Sequence, residues 1–117
     1  MSPVYDKVYD HIKNSGVDVF VPGVHEGDCE TPYCVLRDFG ASQLDNFSTQ
    51  QVIYILYCYT KNYSDLYDFV EKCKGVMDGI APLVLPTGQE TPSFFDDTNK
   101  AYMVSVQYRF NRRCKLL

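Results

Sequence analysis

One loop of this sequence collects side chains that could ligate a metal ion. His25, Glu26, Asp28, Cys29 and Glu30 follow one another closely, and imidazole, thiolate and carboxylate groups are all metal ligands. A zinc site would need a second group of ligands, at a spacing such as Cys-x-x-Cys or His-x-x-x-His. The sequence contains no such group, so we predict no metal and no cofactor, and we interpret this segment as a solvated acidic loop.

Nucleophilic catalysis is the second chemistry that the composition permits. Five cysteines and two histidines, His11 and His25, could supply a Cys–His pair. No cysteine lies in a recognisable local signature, and the chain has neither a glycine-rich phosphate loop nor a nucleophile elbow. We expect His11 at the edge of the core and Cys58 and Cys73 as small buried hydrophobes. We therefore predict that the protein is not an enzyme.

A third segment, residues 90–98 (ETPSFFDDT), is suited to binding another protein. It places two adjacent aromatic residues, Phe94 and Phe95, in a polar loop fixed by proline, and exposed apolar side chains are what an interaction site requires. Alternatively, the segment is a β-turn whose phenylalanines fold back onto the sheet, as we expect for one of them. In either case Asp96 and Asp97 are suited to stabilise the loop by turn-type bonds to nearby backbone N–H groups.

Charge is distributed unevenly along the 117 residues, which have a formal net charge of −4. Residues 1–100 contain seven Lys and Arg against fifteen Asp and Glu, whereas residues 101–117 contain Arg109, Arg112, Arg113 and Lys115 with no acid. An acidic body does not bind nucleic acid tightly, because that affinity comes mainly from neutralised phosphates. The basic end is suited to contacting an acidic face of another copy or of a neighbour, or it is simply a solvated end of a strand.

Targeting and disulfide signals are absent from the sequence. The N-terminal residues lack the continuous apolar stretch of a signal peptide, and no run approaches the length of a membrane span. The odd number of cysteines at scattered spacings argues against a secreted disulfide framework. We therefore expect a soluble chain, made in a cytoplasm, that forms a single domain over residues 1–117.

The hydrophobic pattern predicts two helices and five strands in the order α-β-β-β-α-β-β. The first helix, near residues 3–14, begins at a Ser2 cap, and the second begins at a Ser64 cap and ends before Pro82. The strands are predicted at 17–21, 33–38, 49–60, 83–85 and 101–111. Residues 39–48 and 87–100 are predicted to be loops. Residues 49–60 are apolar on both faces, which is typical of a central strand.

These elements predict an α+β fold: a two-layer sandwich with two helices packed on one face of a mostly antiparallel sheet of four to five strands. The amphipathic stripe of the second helix is continuous, and it is formed by Leu66, Phe69, Val70, Cys73, Val76, Met77 and Ile80.

In the order of its motifs the chain resembles the small tail terminator, or tail-completion, proteins of tailed phages and prophages. The resemblance covers the opening helix, residues 17–23 (VDVFVPG), and residues 26–29 (EGDC) before 32–35 (PYCV). It continues in residues 90–97 (ETPSFFDD) and 103–109 (MVSVQYR), so it extends over most of the chain.

The resemblance implies a structural protein of the virion neck, assembled in the host cytoplasm, with no catalytic residues. Six copies would form a ring on the last ring of the tail tube, end its polymerisation, and join the tail to the head connector or stopper. The ring would also contact the sheath in a contractile tail, while DNA passes through the lumen without specific binding. Cysteine richness is not part of the family's pattern.

Two alternatives remain open at this point. Another neck component, such as a head–tail stopper, is one, and a small ligand-binding or enzymatic domain is the other. For the interfaces we predict two groups of residues: Phe94, Phe95, Asp96 and Asp97 in one contact, and Arg109, Arg112 and Arg113 in another.

Overall fold

Two helices lie on one face of a six-stranded sheet in the computed structural model, which describes residues 3–25, 27–43 and 49–113, with side chains for 4–25, 27–40 and 51–110. The helices are α1 (Pro3–Asn14) and α2 (Tyr63–Asp78). The strands are β1 (Val19–Phe20), β2 (Tyr33–Gln43), β3 (Thr49–Thr60), β4 (Leu85–Glu90), β5 (Phe94–Asp96) and β6 (Ala101–Arg113).

The strands follow the order β1-β2-β3-β6-β4, and β5 also pairs with β6. All pairs are antiparallel except β1 with β2. The predicted α+β sandwich is therefore confirmed, with one strand more than the four to five expected.

The first helix has the bounds that its sequence predicts. Tyr5, Val8 and Ile12 recur at helical spacing and are buried against the sheet. The chain leaves the helix through Gly16, whose φ of +92° is in the left-handed region that favours glycine. The predicted cap, Ser2, lies outside the described residues.

The second helix buries the predicted stripe, with Leu66, Val70, Cys73 and Met77 inaccessible to solvent. Its predicted cap is wrong, because Asn62 is the N-cap, in an extended conformation, and Ser64 lies in the first turn. The helix therefore begins two residues earlier than the serine indicated, although the Asn62 side chain makes no capping hydrogen bond.

The helices are held together at the end of α2. His11 Nε2 lies 2.7 Å from the carbonyl oxygen of Val76, which can only accept, so the imidazole donates from Nε2. A Cβ on Gly79 would lie 3.2 Å from His11 Nε2, which is tighter than most Cβ contacts, so a larger residue would require the imidazole to shift by a few tenths of an ångström. His11 is half-buried, as expected for the edge of the core.

The middle of the sheet is β3, which pairs with β2 on one side and β6 on the other. Its even-numbered residues from Val52 to Thr60 are buried under the helices, whereas the odd-numbered ones from Gln51 to Tyr59 are half-buried. Because side chains alternate along a strand, the two faces of β3 differ in how deeply their side chains are buried. The central position predicted for residues 49–60 is confirmed.

Two predicted loops contain strand. Residues 39–43 continue β2 past a bulge between Asp38 and Gly40, where Gly40 has a φ of +110°; residues 44–48 are outside the described part. The expected strand at 83–85 and loop at 87–100 are both wrong, because β4 covers Leu85–Glu90 and β5 covers Phe94–Asp96. Both lie on the outer edge of β6, where Pro86 and polar residues are tolerated.

Two substitutions on opposite faces of β3 test whether one face is more deeply buried than the other. Leu56→Ala, at a side chain that is 1% exposed, is expected to lower the free energy of unfolding by about 2–5 kcal/mol. Ile55→Ala, on the opposite face, is expected to cost only about 1 kcal/mol, since its side chain loses less burial. The measurement is urea denaturation at low protein concentration, and equal losses would contradict the assignment of an uncovered face.

Candidate functional site

The adjacent aromatics Phe94 and Phe95 point to opposite sides of the sheet. They form β5, in which Phe94 pairs with Met103 and Phe95 with Tyr102. Because successive strand residues alternate, Phe94 shares a face with Met103, and Phe95 lies on the helix side with Tyr102. Both remain exposed, at 48% and 45%. The structure therefore separates two residues that were predicted to act in one contact.

On the helix side, Phe95 belongs to a larger group that we call the α2 aromatic surface: Tyr63, Tyr67, Phe95 and Tyr102. The ring centre of Tyr102 lies 5.1 Å from that of Phe95 and 5.5 Å from that of Tyr63. The ring centres of Tyr63 and Tyr67 are 6.2 Å apart. Tyr63 and Tyr67 are about half exposed. Neither tyrosine was among the predicted interface residues, although their i,i+4 spacing outside the buried stripe indicates a shared exposed side of the helix.

Asp96 stabilises the turn between β5 and β6. Its Oδ1 accepts hydrogen bonds from the N–H groups of Thr98 at 2.9 Å and Asn99 at 3.4 Å, and its Oδ2 accepts one from the Asn99 amide at 2.9 Å. These are turn-type bonds, the alternative considered for this loop. Asp97 is exposed.

Arg109 lies on the face of the sheet opposite the helices. It pairs with Ile53 of β3 and Leu85 of β4, and Arg37 occupies the neighbouring row opposite Ile55. We call this area the open sheet face and define it by Val35, Arg37, Ile53, Ile55, Tyr57, Gln107 and Arg109. The side chains of Arg112 and Arg113 are outside the described part, so their predicted role stays a prediction.

The open sheet face is apolar at its centre and basic at its margins. Ile53, Ile55 and Tyr57 are half-buried, and no described helix or strand packs over them. Arg37 is exposed, and its guanidinium lies 5.5 Å from the ring centre of Phe39, which is 58% exposed. A cation over an aromatic ring is a favourable arrangement that keeps both groups at the surface.

One corner of this face is covered by the loop that follows β1. His25 stacks on Tyr33 with ring centres 3.9 Å apart, and Tyr33 stacks on Tyr59 at 4.8 Å. Burial raises the pKa of Tyr59 to about 12. A cleft of about 440 Å³ lies between this stack and the open sheet face, with Arg37 and Asp96 among its lining residues.

The candidate metal loop is divided by this packing. His25 stacks on Tyr33, and Cys29 is buried with its Sγ 3.3 Å from the carbonyl oxygen of Thr31. Asp28 and Glu30 are exposed. Among the described residues, no group of three or more His, Cys, Asp or Glu side chains is placed to hold a metal ion. Glu26 lies outside them.

Three thiols meet in the core beneath α2. Cys34 and Cys58 face each other across β2 and β3, and both are hydrogen-bonded to Cys73. That bond, together with burial, raises the pKa of the Cys34 and Cys58 thiols, whereas the two bonds lower the pKa of Cys73 against the effect of burial. Cys58 and Cys73 are buried, as predicted.

A scan of protein-family models finds no match to this chain, and a search of curated proteins finds none either. Over the part that the structure describes, neither helix is long and apolar enough to cross a membrane.

The two aspartates at the end of β5 provide a matched pair of variants. Asp96→Ala removes the acceptor of three hydrogen bonds and is expected to lower the free energy of unfolding by about 1–2 kcal/mol. Asp97→Ala is expected to change it by less than about 0.5 kcal/mol. Chemical denaturation of both variants checks this, and an equal or larger loss at Asp97 would disprove the structural role of Asp96.

The alkylation rate of the three buried thiols separates two effects. Burial makes alkylation slow, whereas a lowered thiol pKa makes it fast. Cys34, Cys58 and Cys73 are at most 2% exposed, so alkylation by iodoacetamide should be at least about a hundred-fold slower in the native protein than in urea, because it requires opening of the core. Peptide mass spectrometry resolves each cysteine. Fast native labelling of Cys73 would mean that its lowered pKa, not its burial, controls reactivity.

Proposed function

We propose that this protein is a tail terminator: a non-enzymatic subunit of the virion neck that forms a ring, six copies by family resemblance, on the end of a tail tube. Its neighbours are further copies of itself, the tail tube protein, and the head–tail connector or stopper, together with the sheath where the tail is contractile. It assembles in the host cytoplasm, ends polymerisation of the tube, and lets DNA pass through the ring without specific binding.

The observation that carries this proposal is the open sheet face. Ile53, Ile55 and Tyr57 are central residues of β3, the middle strand of the described sheet, and they are only half-buried within the single chain. An uncovered apolar area at the centre of a sheet favours a partner that completes the layer. A subunit whose role is assembly needs such a surface.

The surroundings of the two histidines also support a structural role. His11 bonds to a backbone carbonyl between the helices, and His25 is stacked within an aromatic corner. Both imidazoles therefore have packing partners, and the Nδ1 atom of His25 is buried without a hydrogen-bond partner among the described residues. The order of motifs in the sequence remains the reason to prefer a terminator over another neck component.

The charge of the body suits a ring around DNA. Carboxylates exceed cations by eight over residues 1–100, and exposed examples on α1 are Asp6 and Asp10. An acidic wall repels phosphate, so a duplex passes without being held.

Deletion of the gene in its phage or prophage, followed by electron microscopy of the particles, tests the proposal. We expect overlong tails, or tails of normal length that never join heads, because tube growth is no longer ended and the joint is missing. Supplying the wild-type gene on a plasmid should restore joined particles, which controls for effects on neighbouring genes.

Two other outcomes would contradict the proposal. Joined particles with tails of normal length would mean that the protein is not part of the neck. DNA-filled heads that leak, accompanied by normal free tails, would identify a head–tail stopper instead.

A further inference from the structure

The fold presents two unlike apolar surfaces on opposite sides of one sheet. The open sheet face is formed by β2, β3 and β6 on the side away from the helices. The α2 aromatic surface is on the helix side, where Tyr63 and Phe95 both contact Tyr102. Because they are on opposite sides, a single copy cannot bring them together.

The open sheet face is the cationic member of the pair. Arg37 and Arg109 are the charged side chains of this set, and they flank Ile53 and Ile55 in adjacent rows of the sheet. Among the described side chains, no ion pair involves either arginine. Their guanidinium groups can therefore bind a carboxylate of a partner without first breaking an ion pair with a described carboxylate of the same chain.

The α2 aromatic surface is the anionic member. The helix contains four carboxylates, on Asp65, Asp68, Glu71 and Asp78, against two lysines, Lys72 and Lys74. Lys74 is already bonded to Glu90 of β4 at 2.8 Å and also contacts Glu71 at 3.6 Å. Asp68 is next to Tyr67 in sequence, and Glu71, which shares Lys74 with Glu90, lies one turn further on, so exposed aromatic rings and an excess of acid occur together.

We propose that the α2 aromatic surface of one copy docks on the open sheet face of the next copy. Tyr63, Tyr67 and Phe95 supply the aromatic anchors that interfaces favour, and α2 adds the second helical layer that the sheet lacks. Asp68 and Glu71 face Arg37 and Arg109 across the contact. This inference rests on the proposed function only in taking the partner to be another copy of this chain.

Charge favours contact between the two different surfaces over contact of either surface with the same surface of another copy. Two open sheet faces in contact would set Arg37 and Arg109 against arginines, and two α2 surfaces would set Asp68 and Glu71 against carboxylates. Like charges placed together in this way disfavour the wrong partner. The contact therefore joins different surfaces of the two copies, and a contact of that kind repeats around a ring when its rotation closes.

Two blocking variants test the pairing. Phe39→Glu places a carboxylate beside Arg37 on the open side, and Tyr67→Glu places one on the α2 aromatic surface; both residues are about half exposed or more, so both variants should fold. Lys7→Gln, on the exposed side of α1, makes the same change in net charge and is the control. Circular dichroism and urea denaturation verify that each variant is folded.

Sedimentation velocity over a concentration series measures assembly. We expect wild type and Lys7→Gln to associate alike, and each blocking variant alone to require a concentration roughly thirty-fold higher or more. An equimolar mixture of Phe39→Glu and Tyr67→Glu should give a one-to-one dimer and nothing larger, because each variant keeps one intact surface of opposite kind.

Three results would overturn the pairing. Association of Tyr67→Glu alone at wild-type strength would mean that the α2 aromatic surface is not used. A mixture that stays monomeric would show that the two surfaces do not bind each other, as would a wild-type chain that stays monomeric throughout. None of these results decides the terminator role, which rests on particle morphology after gene deletion.

Discussion

The register of β3 between β2 and β6 is the constraint on which the rest of the structure depends. Both pairings continue along the strand, from Tyr59 opposite Tyr33 and Met103 towards Gln50 opposite Gln43 and Arg112. Since side chains alternate with a period of two, this register commits Tyr54, Leu56 and Cys58 to the helix side. It equally commits Ile53, Ile55 and Tyr57 to the side without a helical layer. A slip of one residue would exchange the core with the open sheet face.

Small side chains at the centre of the helical layer allow the helices to pack closely on the sheet. Cys34, Cys58 and Cys73 fill the space where β2, β3 and α2 meet, and their volumes allow the helix to lie close to the sheet. Gly79 does the same between the helices, where a larger side chain would meet the His11 imidazole. The core between the helices and the sheet is thus well packed within one chain, and exposed apolar side chains lie outside it, on the open sheet face and on the α2 aromatic surface.

The sequence predicts strongly buried helices and strands well, and it predicts weakly buried ones poorly. Both helices and β3 follow from periodic apolar residues, because their side chains enter one core. β4 was mistaken for a loop because Thr87, Gly88 and Gln89 lie in the irregular part of an edge strand, between the paired residues Pro86 and Glu90, where no apolar pattern is needed. The sequence left open whether Phe94 and Phe95 are exposed or fold back onto the sheet; both are exposed, and their separation to two sides follows from pairing with β6, which local sequence does not reveal. The role of Tyr63 depends likewise on Tyr102, a residue far away in the chain.

The edges and the faces of this sheet differ in what they can bind. At one edge, β4 carries Pro86 and an irregular register, which hinder the addition of another strand. At the other edge, β1 pairs with only Cys34 and Val35, so no described strand pairs with the outer side of β2 beyond them. An edge binds through backbone groups, whereas the open sheet face binds through side chains. Side chains can combine apolar contact with charge, so Arg37 and Arg109 make this surface selective where a bare edge would accept any strand.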